Sequence, residues 1–304
     1  MSEELDIRIH GGSDLPTLIY LPGLHGDWTL ISRFRAALAG RVRLVEVAYP
    51  QRVDWSLADL GRGIIEQLVA RGITHGWLLG ESFGSQVAWA IVDQTEPSMA
   101  ERGSPDPQAP RPIEDAADRE TRAPARSTSP STNDFAPEGI ILVGGFVRHC
   151  SETAVRIARE CSSRVPFGIL RMIFGLYGRY VQFRYRGCPE TVASIKEFVA
   201  RRTEESDRLA MTHRYDLIIQ NDLRPVARRA TLPVFCLCAM FDHLVPWLFV
   251  LPWLKNNCPG FRGARIIFCA THNTLASAPK TSADQIVKWM AWMSDQQQAS
   301  RVRI

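Results

Sequence analysis

A serine stands between two glycines in LLGESFGSQVAW, Leu78 to Trp89, where an apolar run meets the start of a helical pattern. Gly80, Glu81, Ser82, Phe83 and Gly84 spell G-x-S-x-G, the nucleophile elbow in which a strained strand-to-helix turn lifts a serine hydroxyl clear of its neighbours. Glycine suits both flanking positions, because a bulky side chain there would collide with the strand or helix as the backbone doubles back. The same five residues also fit an ordinary glycine-rich turn. A serine hydroxyl is a weak nucleophile until a base takes its proton and a third group orients that base. The elbow reading therefore calls for a histidine and a carboxylate.

Seven histidines compete for the base. His272, in FCATHNTLASAP, directly follows the apolar run Arg265 to Cys269, which puts it on a loop at the carboxyl end of a strand, where sites form in open α/β sheets. His25 also follows a strand and His243 adjoins a carboxylate, while His10, His75, His149 and His213 have no comparable context. In the chain order serine, acid, histidine, the acid lies between Ser82 and His272. Asp242, in CLCAMFDHLVP, reaches the same rim of the sheet and, if buried, could accept the imidazole N–H and stabilise the imidazolium formed during attack. A helix N-cap or a solvated loop charge is its plain alternative, and Asp216 and Asp222 are weaker rivals.

The elements that must position these residues alternate along the chain. Thr17 to Leu21, Arg43 to Ala48, Gly76 to Leu79, Gly139 to Val143, Pro233 to Cys238 and Arg265 to Cys269 are short and apolar, as expected of strands covered on both faces of a parallel sheet. Helical patterns lie between several of them. One begins at Ser56, with Asp59 three residues on as an N-terminal cap, and repeats Leu57, Leu60, Ile64, Ile65 and Leu68 at helical spacing. Such alternation predicts an α/β fold: a mostly parallel twisted sheet flanked by helices.

Two segments interrupt the rhythm. Glu96 to Pro137 is rich in Pro, Ser, Asp and Arg and nearly free of large apolar residues, a composition that predicts a flexible surface loop. Arg148 to Arg229 carries helical patterns such as Pro189 to Arg202 and no strand-like run comparable to those of the sheet. The chain thus divides into core halves over 1–145 and 231–304, with residues 146–230 as a helical insertion. The apolar stretch WLFVLPWL, Trp247 to Leu254, reads as a buried helix face after the acid loop, with lipid contact or a pocket entrance as the alternative.

Composition excludes several function classes. With 304 residues, 45% of them hydrophobic, and a formal net charge of +4, the chain can bury a full core and carries no basic block. No helix-turn-helix, zinc finger or RNP-like strand occurs, so nucleic acid is not an expected partner. The acidic start, MSEELDIRIH, lacks the layout of a signal peptide, and no apolar stretch is long enough to span a membrane, which makes a cytoplasmic location the expectation. Seven cysteines without a C-x-x-C pair predict reduced thiols, mostly in the core.

Taken with their loops, these motifs resemble the α/β-hydrolase fold superfamily over most of the chain outside the two insertions. GESFG looks like its elbow, FDHLVP like its acid loop and ATHNTLASAP like its histidine loop. The resemblance implies Ser82 as nucleophile, Asp242 as acid and His272 as base. LPGLHGD, Leu21 to Asp27, resembles the oxyanion loop, which makes the N–H groups of Leu24 and Phe83 the two donors; pairing His25-Gly26 with the motif would move the first donor to Asp27. The insertion after Val143 lies where the superfamily often carries a cap domain. Two departures stand out: the polar insertion before Gly139 and a compressed loop after Tyr49-Pro50.

The reaction so implied is hydrolysis of a carboxylic ester or thioester through an acyl-enzyme, with no metal or organic cofactor. Acyl transfer by the same triad, carbon–carbon bond hydrolysis and a non-catalytic ligand-binding member of the fold are the alternatives. The substrate is a small acyl compound. Arginines recurring from Arg156 to Arg214 leave open an anionic one, drawn by electrostatic focusing, against the plainer account of a solvated, ion-paired helix surface.

Overall fold

A computed structural model describes residues 4–95, 134–184, 189–201 and 204–302. Seven strands, β1 (Asp6–His10), β2 (Thr17–Leu21), β3 (Arg43–Ala48), β4 (His75–Glu81), β5 (Ala136–Val143), β6 (Val234–Ala239) and β7 (Phe261–Ile267), form one sheet. Their order is β1-β3-β2-β4-β5-β6-β7, with β1 antiparallel to β3 and every other pairing parallel. All residues of β2 and β6 are buried, which is why both read as unbroken apolar runs.

Successive side chains of a strand point to opposite faces. Accordingly Ile19, Leu21, Val45, Val47, Leu78 and Ile140 join one core, while Leu18, Tyr20, Leu44, Leu79, Ile141 and Val143 join another. Over the first face pack α2 (Leu57–Val69) and α3 (Gly84–Thr95); over the second pack α1 (Ser32–Leu38) and the terminal α11 (Pro279–Val302). The cap read at Ser56 is a complete capping box. Asp59 N–H donates to Ser56 Oγ at 3.1 Å and Ser56 N–H donates to the Asp59 carboxylate at 3.0 Å, an arrangement worth about 1 kcal/mol.

Between β5 and β6 the chain forms α4 (Glu152–Arg164), α5 (Phe167–Arg184), α6 (Pro189–Ala200), α7 (Glu205–Gln220) and α8 (Arg224–Arg229). α4 packs on α7, α5 packs on α6, and α6 rests on the 3-10 turn Thr29–Ile31 that follows the loop after β2. Beyond β6 come α9 (Trp247–Asn257) and the short α10 (Thr274–Ser277).

The structure departs from the expected elements mainly at the sheet edges. β1, absent from the sequence reading, alternates polar and apolar residues and lies half exposed at one edge. At the other edge the last strand is Phe261–Ile267, not Arg265 to Cys269, since it pairs with β6 from Phe261 opposite Val234 onward; Arg262, Gly263 and Arg265 interrupt its apolar pattern. β5 begins at Ala136 and Phe135 is buried, so the insertion read as ending at Pro137 ends sooner. Residues 96–133, the bulk of that insertion, lie outside the described residues, as does Arg202 at the expected end of α6.

One side-chain expectation is also corrected. Cys236, Cys238 and Cys258 are buried, but Cys150, Cys161 and Cys269 are exposed because they sit in a loop, on an amphipathic helix and past an edge strand. Cys188 lies outside the described residues. WLFVLPWL forms the helix face expected after the acid loop: in α9, Val250 and Leu254 are buried and Trp247, Leu251 and Trp253 pack against the core, while Leu248 and Phe249 on the other face meet solvent.

Candidate active site

β4 ends at Glu81 and α3 starts at Gly84, leaving Ser82 at the crest of the turn. Its φ is +52°, and it is the only non-glycine residue among those described with positive φ. For an L-residue that conformation costs roughly 1–2 kcal/mol, so the surrounding packing must impose it. Ser82 N–H donates to Val143 O at 3.0 Å, and Ser85 closes the turn by donating its N–H and Oγ–H to Ser82 O. A Cβ on Gly80 would stand 2.7 Å from Gly84 O, and one on Gly84 would collide with the Leu21 carbonyl. Both flanking glycines are thus required by close backbone approach.

His272, on the loop after β7, reaches Ser82 across 190 residues of chain: its Nε2 is 3.0 Å from Ser82 Oγ. Its Nδ1 is 2.9 Å and 3.0 Å from the two oxygens of Asp242, on the loop after β6. A carboxylate only accepts, so Nδ1 carries the proton and Nε2 is left to accept from the serine hydroxyl. The Asp242 side chain is 1% exposed and that of His272 14%. Asp242 Oδ1 also accepts the N–H groups of Leu244 and Val245 at 3.0 and 2.8 Å, which folds the acid loop around the carboxylate. It does not cap α9, whose N-cap is Pro246.

The rival groups are engaged elsewhere. Asp216 pairs with Arg159, and Asp222 with Arg148 and Arg224. Arg224 and its hydrogen bond hold the Asp222 carboxyl down to about 2. His243 is exposed, and His10 pairs with Glu46. His25 stays near the centre: its Nε2 lies 3.5 Å from Tyr20 Oη and its ring 6.3 Å from that of Phe198 on α6.

Gly23, in the loop after β2, lies beside the elbow: a Cβ there would stand 3.4 Å from Ser82 Cβ and 3.3 Å from His25 Nδ1. Leu24 follows it, and Gly26 N–H turns back to Gly23 O at 3.0 Å. Tyr49 donates its hydroxyl to Pro22 O at 3.0 Å and its N–H to Gly26 O at 2.8 Å. Asp27 lies past this turn, buried, with Oδ1 accepting the N–H and hydroxyl of Thr29.

Several neighbours of the site carried no signal in sequence. Arg214 on α7 is 5% exposed and donates to Leu24 O at 2.9 Å and Pro50 O at 3.3 Å, with its guanidinium over the Tyr49 ring. Gly144, just after β5, has φ +49°, and a Cβ there would stand 3.1 Å from Asp242 Oδ2 and 3.3 Å from His272 Nδ1. Glu81 is buried and accepts the Tyr20 hydroxyl at 2.6 Å; burial pushes its carboxyl up, against the pull of that hydrogen bond and of His272. His149 accepts Ser151 N–H at Nδ1 and faces Leu244 O with Nε2 at 3.1 Å, bracing the acid loop; burial pushes its pKa down, which favours this neutral form. A helical hydrogen-bond donor before β6 and a glycine after β5 are the only traces these residues leave in the chain order.

A cavity of about 430 Å³ lies beside the acid loop, lined by Val147, His149, Phe249, Val250 and Trp253 among others. Among the described residues no cluster of three or more His, Cys, Asp or Glu side chains is arranged to hold a metal.

By sequence, the chain matches no family profile and no curated protein. By structure it is similar to a thermophilic esterase from Thermogutta terrifontis, with 16% identity, a TM-score of 0.64 and coverage of 95% of this chain and 93% of that one. It is also similar to the enol-lactonase from Burkholderia xenovorans, at 14% identity and a TM-score of 0.66, covering 94% and 96% of the two chains. An esterase from a Rhodococcus species matches at 16% identity and 0.64, with 94% of each chain covered. The chain has the α/β-hydrolase fold.

Proposed function

We propose that the protein is a serine hydrolase that cleaves a carboxylic ester or thioester through an acyl-enzyme on Ser82. The observation that carries this reading is the unbroken relay from the buried Asp242 through His272 to Ser82 Oγ, with both links near 3 Å, on a serine held at positive φ. That the structurally similar proteins include two esterases and an enol-lactonase supports the same reaction class.

In this mechanism Ser82 Oγ attacks the acyl carbon while its proton passes to His272 Nε2. The Asp242 carboxylate stabilises the imidazolium that results. Negative charge on the former carbonyl oxygen is taken up by the N–H groups of Phe83 and Leu24. Leu24 is favoured over Asp27 because Gly23, immediately before it, lies beside the elbow, whereas Asp27 lies beyond the Gly23 to Gly26 turn. His272 returns the proton to the departing alcohol or thiol, and water repeats the sequence at the acyl-enzyme. The helices from α4 to α8 serve as the cap. Arg156, Arg159, Arg164, Arg201 and Arg208 of these helices are each ion-paired with a carboxylate, which leaves those five little charge with which to draw an anionic substrate.

The test is turnover of a short-chain aryl ester together with labelling by a fluorophosphonate probe. Ser82→Ala should abolish labelling and lower kcat by about 10⁴-fold or more, with little change in melting temperature. Labelling without turnover would point to a different acceptor or substrate; neither labelling nor turnover by the parent chain would overturn the proposal.

A further inference from the structure

α5 is the outer helix of the layer between β5 and β6, and its outward face is apolar. Ile169, Met172, Ile173, Leu176 and Tyr180 are between 46% and 63% exposed. At about 100° per residue they fall within an arc of roughly 100°, a single stripe along the helix. Gly178 lies roughly 180° round from Ile169. It is buried, and a Cβ there would stand 3.0 Å from Val199 Cγ2 of α6. The helix therefore packs inward through its glycine side and presents the apolar stripe to solvent. Scattered exposed apolar residues are ordinary, but a contiguous stripe of this kind marks an interaction surface.

The charge beside the stripe selects the occupant. The segment FGILRMIFGLYGRYVQFR contains three arginines and no aspartate or glutamate. Arg179 lies about 20° round from Met172 at the edge of the stripe, whereas Arg171 lies about 20° round from Gly178, far from it. Arg179 is exposed and not ion-paired with a carboxylate among the described residues. A second copy docked through the same face would bring this cation toward its own equivalent, with no carboxylate on the helix to neutralise it. The chain's segment 96–133 offers only Met99 and Ile113 as large apolar side chains, too few to cover the stripe. A helix with one apolar face, aromatic and aliphatic residues upon it and an unpaired arginine at its flank suits the plane of an anionic lipid surface. No helix among the described residues is long and apolar enough to cross a membrane, so such contact is in-plane.

We infer that α5 docks the protein on anionic lipid surfaces, its apolar stripe entering the interface and Arg179 at the edge of the stripe contacting the headgroups. This holds whatever reaction Ser82 carries out, because the surface is separate from the elbow, the acid loop and the histidine loop.

The experiment is flotation of the full chain with phosphatidylcholine vesicles, with and without phosphatidylglycerol, at low and high salt. Partitioning onto the phosphatidylglycerol vesicles should exceed that onto pure phosphatidylcholine by roughly tenfold and fall with salt. Ile173→Asn with Leu176→Asn should lower it by roughly tenfold while leaving the melting curve unchanged, since both residues are exposed. Arg179→Gln should reduce the preference for phosphatidylglycerol and the salt dependence, and Arg171→Gln, on the far side of the helix, should leave both nearly unchanged. Absence of vesicle binding, or binding indifferent to the Ile173 and Leu176 substitutions, would overturn the inference. So would a dimer in light scattering that those two substitutions dissociate, which would assign the stripe to a second copy.

Discussion

At the scale of single residues, the site depends on side chains being absent as much as on those present. Gly144 faces both partners of the acid and base contact at positive φ, where a Cβ would crowd Asp242 Oδ2 at 3.1 Å and His272 Nδ1 at 3.3 Å. Gly144→Ala should therefore strain the backbone by about 1–2 kcal/mol and displace Asp242 or His272. We expect kcat on an aryl ester to fall by roughly 10- to 100-fold with KM changed less; parent-like kinetics would show that the acid loop can relax around the methyl group. Glu81 allows a second test, read as stability against pH. Burial raises its folded-state pKa above the ordinary 4.5, so folding favours the neutral acid. As pH rises from about 4.5, the unfolded chain ionises first and the folded chain loses stability relative to a variant that cannot ionise. Glu81→Gln, whose amide oxygen can still accept the Tyr20 hydroxyl, should melt progressively higher than the parent up to the folded pKa and by a constant margin beyond it. A margin independent of pH would mean that Glu81 ionises alike in both states.

At the scale of elements, α7 and the loop after β2 are joined by one buried cation. Arg214 meets the carbonyls of Leu24 and Pro50, and Tyr49 clamps the same loop from its other side. Arg214→Met keeps much of the apolar stem but leaves two carbonyls short of a donor, at a cost of about 1–3 kcal/mol. The urea midpoint should drop accordingly. Because the loop that moves holds Leu24, kcat should fall by roughly tenfold, more than KM rises. A stability loss without any change in kcat would show that the loop keeps its shape without the guanidinium.

At the scale of the whole molecule, the formal net charge of +4 is spread over a surface dense in ion pairs. Exposed pairs of this kind contribute under about 1 kcal/mol each and leave little unbalanced field. An anionic ester and its neutral isostere should therefore be hydrolysed with similar kcat/KM at low ionic strength, and added salt should change neither by more than about twofold. A preference for the anion that salt abolishes would reveal a focused positive field over the site.

What the sequence determines by itself is local. The capping box at Ser56 and Asp59 was legible because its two hydrogen bonds link residues three apart. β2 and β3 were legible to the residue, since burial on both faces of a parallel sheet leaves a mostly apolar run, broken in β3 only by Arg43 and by Glu46, which is buried and paired with Arg35. Edge strands lack that burial, which is why β1 passed unseen and β7 was placed four residues late. Ser82, Asp242 and His272 could be singled out because each sits just past an apolar run, but neither their spacing nor their types state a distance. Only the stacking of β4, β6 and β7 at one end of the sheet brings them within hydrogen-bond reach. Arg214, Glu81 and Gly144 owe their importance wholly to that stacking. An arginine in a helix or a glutamate at the end of a strand has no character until residues 190 positions away, such as Leu24, or 61 away, such as Tyr20, define what surrounds it.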